Sequence, residues 1–128
     1  MSVRASIIDG PLTDGHAGPT PGGVGARLRF QGIVRGLEDG RPLLALDYQT
    51  YDPMALHELA TLARAVTAQH GLIALTALHS RGRVAVGEVS FILEVQSAHR
   101  AEGLAALADF IDRMKRDVPI WKRPLWAP

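Results

Sequence analysis

Between Gly25 and Arg35 apolar and polar positions alternate with period two. Ala26, Leu28, Phe30 and Val34 fall on one side and Arg27, Arg29, Gln31 and Arg35 on the other, which predicts a half-buried strand. Gly32 interrupts the alternation and predicts a bulge or a close backbone approach just before Arg35. After a loop, Gly36 to Gly40, the stretch Pro42 to Tyr51 reads as a second strand and as the hairpin partner of the first. The period then changes. Asp52-Pro53 predicts a helix start, with Asp as N-cap and Pro at the first helical position, and Leu56, Leu59, Leu62, Ala63 and Val66 recur at helical spacing until Gly71. Leu72 to His79 is a third apolar strand, and Ser80-Arg81-Gly82-Arg83 has the composition of a turn. Val89, Phe91, Leu93 and Val95, alternating with Ser90, Glu94 and Gln96, form the clearest strand signal in the chain.

That strand runs into SAHRAEGLAALADFIDRMKRDVPIWK, Ser97 to Lys122, which has the form of an amphipathic helix capped by Ser97. At about 100° per residue Leu104, Leu107, Ala108, Ile111 and Met114 make the expected buried stripe. Lys115 falls within that stripe, so its side chain must either snorkel out or sit in a pocket where its pKa can fall. His99 and Arg100 stand in the first turn, where the helix dipole disfavours cations unless an anion offsets them. Val118 to Trp121 is extended and delivers a second lysine, Lys122, followed by Arg123. The whole pattern predicts one α+β domain, a mostly antiparallel sheet with helices packed on one face, over residues 25–128. Residues 1–24 contain a short apolar segment around Ile7 and Ile8 and a Gly/Pro-rich run, and read as a flexible N-terminal segment; its lone His16 reads as solvated.

Composition narrows the chemistry. The 128 residues are 47% hydrophobic, enough for a core, and 14 Lys and Arg against 13 Asp and Glu leave a net charge of +1, which argues against bulk nucleic-acid binding. No apolar run reaches the roughly 20 residues of a membrane span and no leader pattern is visible, so the expected location is the cytoplasm. Cysteine is absent, so any reactive sulfur must come from elsewhere. No nucleotide loop, nucleophile elbow or HExxH occurs, and neither a metal nor an organic cofactor is indicated. What remains is a basic constellation, Arg35, His99, Arg100, Lys115 and Lys122, beside an apolar wall, and it points to an anionic substrate.

FQGIVR (Phe30 to Arg35), LDYQTYDPMA (Leu46 to Ala55), HSRGRVAVGE (His79 to Glu88), SAHR (Ser97 to Arg100) and MKRDVPIWKR (Met114 to Arg123) occur in order. Together they resemble the large, catalytic subunit of molybdopterin synthase over residues 25–123. The resemblance implies an α+β fold, a homodimer of large subunits within a heterotetramer, and a small ubiquitin-like partner whose C-terminal Gly-Gly thiocarboxylate supplies sulfur. The implied substrate is cyclic pyranopterin monophosphate, converted to the dithiolene of molybdopterin in molybdenum cofactor biosynthesis. Lys115 and Lys122 would be catalytic; Ile33, Val34, Arg35, His99, Arg100, Arg123 and Pro124 would bind substrate. This chain departs from the family pattern at Pro124, where an acidic residue is usual, at Ser80, where arginine is usual, and in ending at Pro128. The alternative is a non-catalytic relative that binds the small subunit or a phosphate ligand without turnover.

Overall fold

The computed structural model describes residues 1–13, 15 and 20–128. Its elements run β1 (Ser2–Asp9), β2 (Ala26–Ile33), β3 (Leu37–Glu38), β4 (Arg41–Thr50), α1 (Met54–Gln69), β5 (Ala74–Ala85), β6 (Val89–Ser97), α2 (Arg100–Asp117) and β7 (Ile120–Trp126). The seven strands form one sheet, antiparallel except that β1 lies parallel to β5. The expected α+β architecture is therefore present, with α1 and α2 against the face that carries Leu75, Ala77, Phe91, Leu93 and Val95. Among the described residues no helix is long and apolar enough to cross a membrane.

The principal core joins those strand residues to Leu59, Leu62, Ala63 and Val66 of α1 and Ala106, Phe110 and Met114 of α2. A second cluster, Val34, Leu43, Leu46 and Val84, packs where β4 crosses β5. The helices are tied at the surface: His70, the C-cap of α1, holds Asp109 at 2.8 Å, and Arg113 donates to Gln69 at 2.7 Å. Gly71 has φ +63°, the left-handed conformation that ends a helix without a Cβ penalty.

Six expectations are corrected. Ser97 does not cap α2: it closes β6, its hydroxyl donates to the His99 carbonyl at 2.6 Å, and His99 takes the N-cap position. The buried stripe of α2 is Gly103, Ala106, Phe110 and Met114, while Leu104 is 54% exposed and Ala108 is exposed. Phe110 is the bulkiest apolar side chain on the helix, and turning it inward rotates the stripe by roughly one residue. Gly103 permits the rotation, since a Cβ there would lie 2.8 Å from Leu28 and from Ser97 Oγ.

β2 does not pair with β4; it pairs with β6, and β4 pairs with β5 and β7. The turn expected at Ser80 to Arg83 lies inside β5, where the strand finishes its pairing with β6 at His79 and takes up β4 from Gly82, whose φ is +88°. The helix expected from Asp52-Pro53 begins at Met54 without a side-chain cap, because Asp52 turns instead to Thr50 and to Arg81, at 3.0 and 2.7 Å; Leu56 of its expected stripe is 42% exposed. Finally, ordered structure begins well before residue 25, since Val3, Ala5 and Ile7 of β1 pack on the core. His16 lies outside the described residues.

Candidate active site

Strand β2 keeps its register with β6 as far as Gly32 and shifts at Ile33, the irregularity expected from the glycine. A Cβ at Gly32 would stand 3.3 Å from that of Phe91, a tight contact that the glycine avoids. Beyond this point α2 ends, Val118 turns the chain, and β7 returns along β4. The diverging elements enclose a cavity of about 360 Å³. Its apolar wall comes from Phe30, Phe91, Ile111, Met114, Val118 and Ile120. Lys115 from α2 and Lys122 from β7 stand on the same cavity, and both are exposed. Of the two outcomes open to Lys115, the snorkelling one holds: it lies on the open side of the helix, beside Ile111 and Met114. The Nζ of Lys122 is 3.0 Å from Glu38 of β3, which fixes the ammonium at the edge of the cavity. A flat apolar wall with two cations at its margin suits an aromatic anion of small-molecule size.

The residues expected at the site divide. Ile33, Lys115 and Lys122 line the cavity. Val34 is buried in the second cluster, and its backbone exchanges hydrogen bonds with Glu88 and Gly87. Arg35 follows it, exposed. Arg123 alternates to the other face of β7 from Lys122 and pairs with Asp47 at 3.1 Å, and Pro124 stands opposite Leu46 in the β4 register. His99 and Arg100 sit at the far end of α2; His99 is open to solvent, 3.6 Å from Glu102. Fifteen residues of helix separate Arg100 from Lys115, roughly 22 Å of rise, so one chain does not bring both to one small ligand.

Three polar side chains at the cavity went unnoticed in the sequence: Tyr48, His79 and Ser90. The Tyr48 hydroxyl donates to Ser90 Oγ at 3.1 Å, and Ser90 donates to the Gly32 carbonyl at 3.3 Å, a relay that joins β4, β6 and the end of β2. His79, only 6% exposed, holds the Ser80 carbonyl at 2.8 Å through Nδ1. Burial pushes its pKa below the ordinary 6.5, and the bond to Ser80 opposes this only in part. Four rings run in contact from core to cavity: Phe110 stacks on Phe91 at 6.2 Å, Phe91 meets His79 at 5.7 Å, and His79 meets Tyr48 edge-on at 5.1 Å. The signal for His79 was available, because it continues the inward alternation of Leu75 and Ala77.

Comparison with known proteins gives one consistent match. A family model described as MoaE protein matches residues 12–117. The molybdopterin synthase catalytic subunit of Nostoc sp. is 34% identical over 116 residues, 90% of this chain and 70% of that one. Proteins of the same description from Arabidopsis thaliana and Homo sapiens are 36% and 35% identical, over 81% and 80% of this chain. The chain spans about half the length of those two relatives, 52% and 54%. Among solved structures, molybdopterin synthase from Staphylococcus aureus superposes with a TM-score of 0.78 at 29% identity, covering 84% of this chain and 79% of that one. A complex of subunits 1 and 2 of molybdopterin-converting factor from Helicobacter pylori gives 0.74 at 25% identity, covering 95% and 84%.

Proposed function

Because this chain belongs to the MoaE protein family, we propose that it is the sulfur-transferring large subunit of a molybdopterin synthase acting in the cytoplasm. Its substrate is cyclic pyranopterin monophosphate. Its sulfur donor is the C-terminal thiocarboxylate of a small ubiquitin-like subunit, in keeping with the two-subunit Helicobacter pylori relative and with a chain that has no cysteine of its own. The observation that carries the reading is the pairing of Lys115 and Lys122 at one apolar-walled cavity, although they come from different elements. The thiocarboxylate sulfur bonds to a side-chain carbon of the pterin as the oxygen on that carbon leaves, and water then cleaves the acyl–sulfur bond, leaving sulfur on the pterin and returning the small subunit with a carboxylate; the lysines stabilise the charge that develops and exchange protons with the reacting groups. Ile33 lines the cavity, and in this reading the Val34 backbone, Arg123 and Pro124 belong to the substrate-binding set beside Ile33 and Lys122. Mixing the purified chain with a thiocarboxylated small subunit and the pyranopterin tests the proposal: dithiolene product is expected, and its absence overturns the reading.

Arg35, His99 and Arg100 are the phosphate-binding cations in this reading, and the 22 Å estimate for the length of α2 between Arg100 and Lys115 supports a site shared across a symmetric dimer. His99 and Arg100 of one protomer then face Lys115 and Lys122 of its partner. Inactive Arg100→Ala and Lys115→Ala proteins, mixed and allowed to exchange subunits, should regain activity toward roughly a quarter of wild type, since each mixed dimer holds one site with both defects and one with neither. Proven exchange without recovery would assign both residues to one chain's site.

A further inference from the structure

The side chains around the cavity offer charged donors and a few neutral acceptors. Lys115 and Lys122 only donate, and the carboxylate at the cavity edge, Glu38, is held by the Lys122 ammonium at 3.0 Å. The hydroxyl protons of Tyr48 and Ser90 are committed to Ser90 and Gly32, so toward a ligand these oxygens only accept. His79 adds a ring acceptor held in one orientation. A carbonyl oxygen only accepts, so the 2.8 Å contact with Ser80 places the ring proton on Nδ1 and leaves the lone pair of the neutral ring on Nε2. Among the described residues Ser80 Oγ is the one side-chain polar atom sealed from solvent without a partner. Nε2, which has no hydrogen bond, is therefore not sealed, and the open space that His79 borders is the cavity. Contacts with Tyr48 and Phe91 hold the ring plane on two sides.

We propose that His79 is a substrate-binding residue whose Nε2 accepts a hydrogen bond from an N–H on the edge of the bound heterocycle, fixing the orientation of the ring while the lysines hold the anionic end. The inference rests on the synthase reading and adds to it the residue that reads the uncharged edge of the substrate. Its physical advantage is pre-organisation: ring, tautomer and acceptor are all set before substrate arrives, so little ordering accompanies binding. Burial disfavours the imidazolium, which keeps the acceptor available at neutral pH. The titratable groups about the cavity are Tyr48 from β4, which touches the His79 ring, Lys115 from α2, Lys122 from β7 and Glu38 from β3, and the one carboxylate of these four is paired with the Lys122 ammonium at 3.0 Å.

The test compares wild type, His79→Asn and His79→Gln in the reconstituted reaction with thiocarboxylated small subunit and cyclic pyranopterin monophosphate. Asparagine keeps an N–H for the Ser80 carbonyl but offers nothing at the Nε2 position, whereas the longer glutamine brings its amide oxygen there. His79→Asn should raise KM about tenfold with kcat within about threefold, and His79→Gln should recover most of the affinity. Wild-type KM should rise as pH falls through the depressed pKa of the ring, which lies below the ordinary 6.5, because the protonated ring donates where it had accepted, and the variants should lack that limb. Urea unfolding establishes that each variant is folded. An unchanged KM in folded His79→Asn overturns the inference, as does a KM in His79→Gln raised as much as in His79→Asn. If His79→Asn does not fold, His79→Gln decides: near-wild-type KM with a flat pH profile supports the assignment, and a wild-type pH profile removes it. An inactive wild type in the same assay overturns the synthase reading instead.

Discussion

Lys115→Ala should lower turnover by a factor on the order of 100 while leaving the unfolding midpoint unchanged. The two halves of this expectation come from different facts. Lys115 is exposed and contributes neither an ion pair nor a core contact among the described residues, so removing it opens no cavity and strands no charge. It nonetheless borders the same space as Lys122, where in the proposed reaction charge would develop and where a bound pterin and a partner's tail would exclude water and strengthen each electrostatic contact. Lys122→Ala should lose at least as much, for an added reason. Its partner Glu38, only 21% exposed, would be left with an uncompensated carboxylate beside the proposed anion site. Lys122→Ala combined with Glu38→Gln should then recover part of the substrate affinity that Lys122→Ala loses. Single-turnover rates with the reconstituted complex check all three, and activity of Lys115→Ala within about threefold of wild type would reduce Lys115 to a surface charge.

Phe110→Ala should be the most destabilising single change in α2, at about 3–5 kcal/mol. The ring is fully buried between the helices and the sheet, stacked on Phe91, and its loss removes both the transfer free energy and the packing of the atoms around it. Against a typical stability of about 5–15 kcal/mol, the urea midpoint should fall by a large fraction of its value. Phe110→Leu, which fills more of the space, should cost markedly less. A loss under about 1 kcal/mol in Phe110→Ala would mean that the helices close over the gap completely.

These two residues mark what could be read in advance. Lys115 was legible because a charge stood at helical spacing among apolar residues, and that irregularity survives any small error in helix phase. Phe110 was missed because the phase itself was set by counting leucines, whereas the close approach allowed by Gly103 selected the aromatic face. The strong alternation in β6 located a central strand but not its neighbours: period two tells which side is buried and is silent about which strand pairs with which. Hence β2 was expected beside β4, and the long-range pairings of β1 with β5 and β7 with β4 had no local signature. A similar limit hid the hydroxyl relay, since Tyr48, Ser90 and Gly32 are brought together only where three strands converge.

Gly103 also has a mechanical meaning. It is a point where α2 presses on Leu28 of β2 and Ser97 at the end of β6, and Lys115 lies twelve residues further along, about 18 Å of helix away. A larger residue at Gly103 would push on α2 near His99 and Arg100, as on the short arm of a lever. A tilt of about 5° there would displace the Lys115 end by roughly 1.6 Å, on the scale at which misplacing a catalytic group costs about a hundredfold in rate. A Cβ added at Gly103 should therefore displace Lys115 at the far end of the helix as well as crowd Leu28.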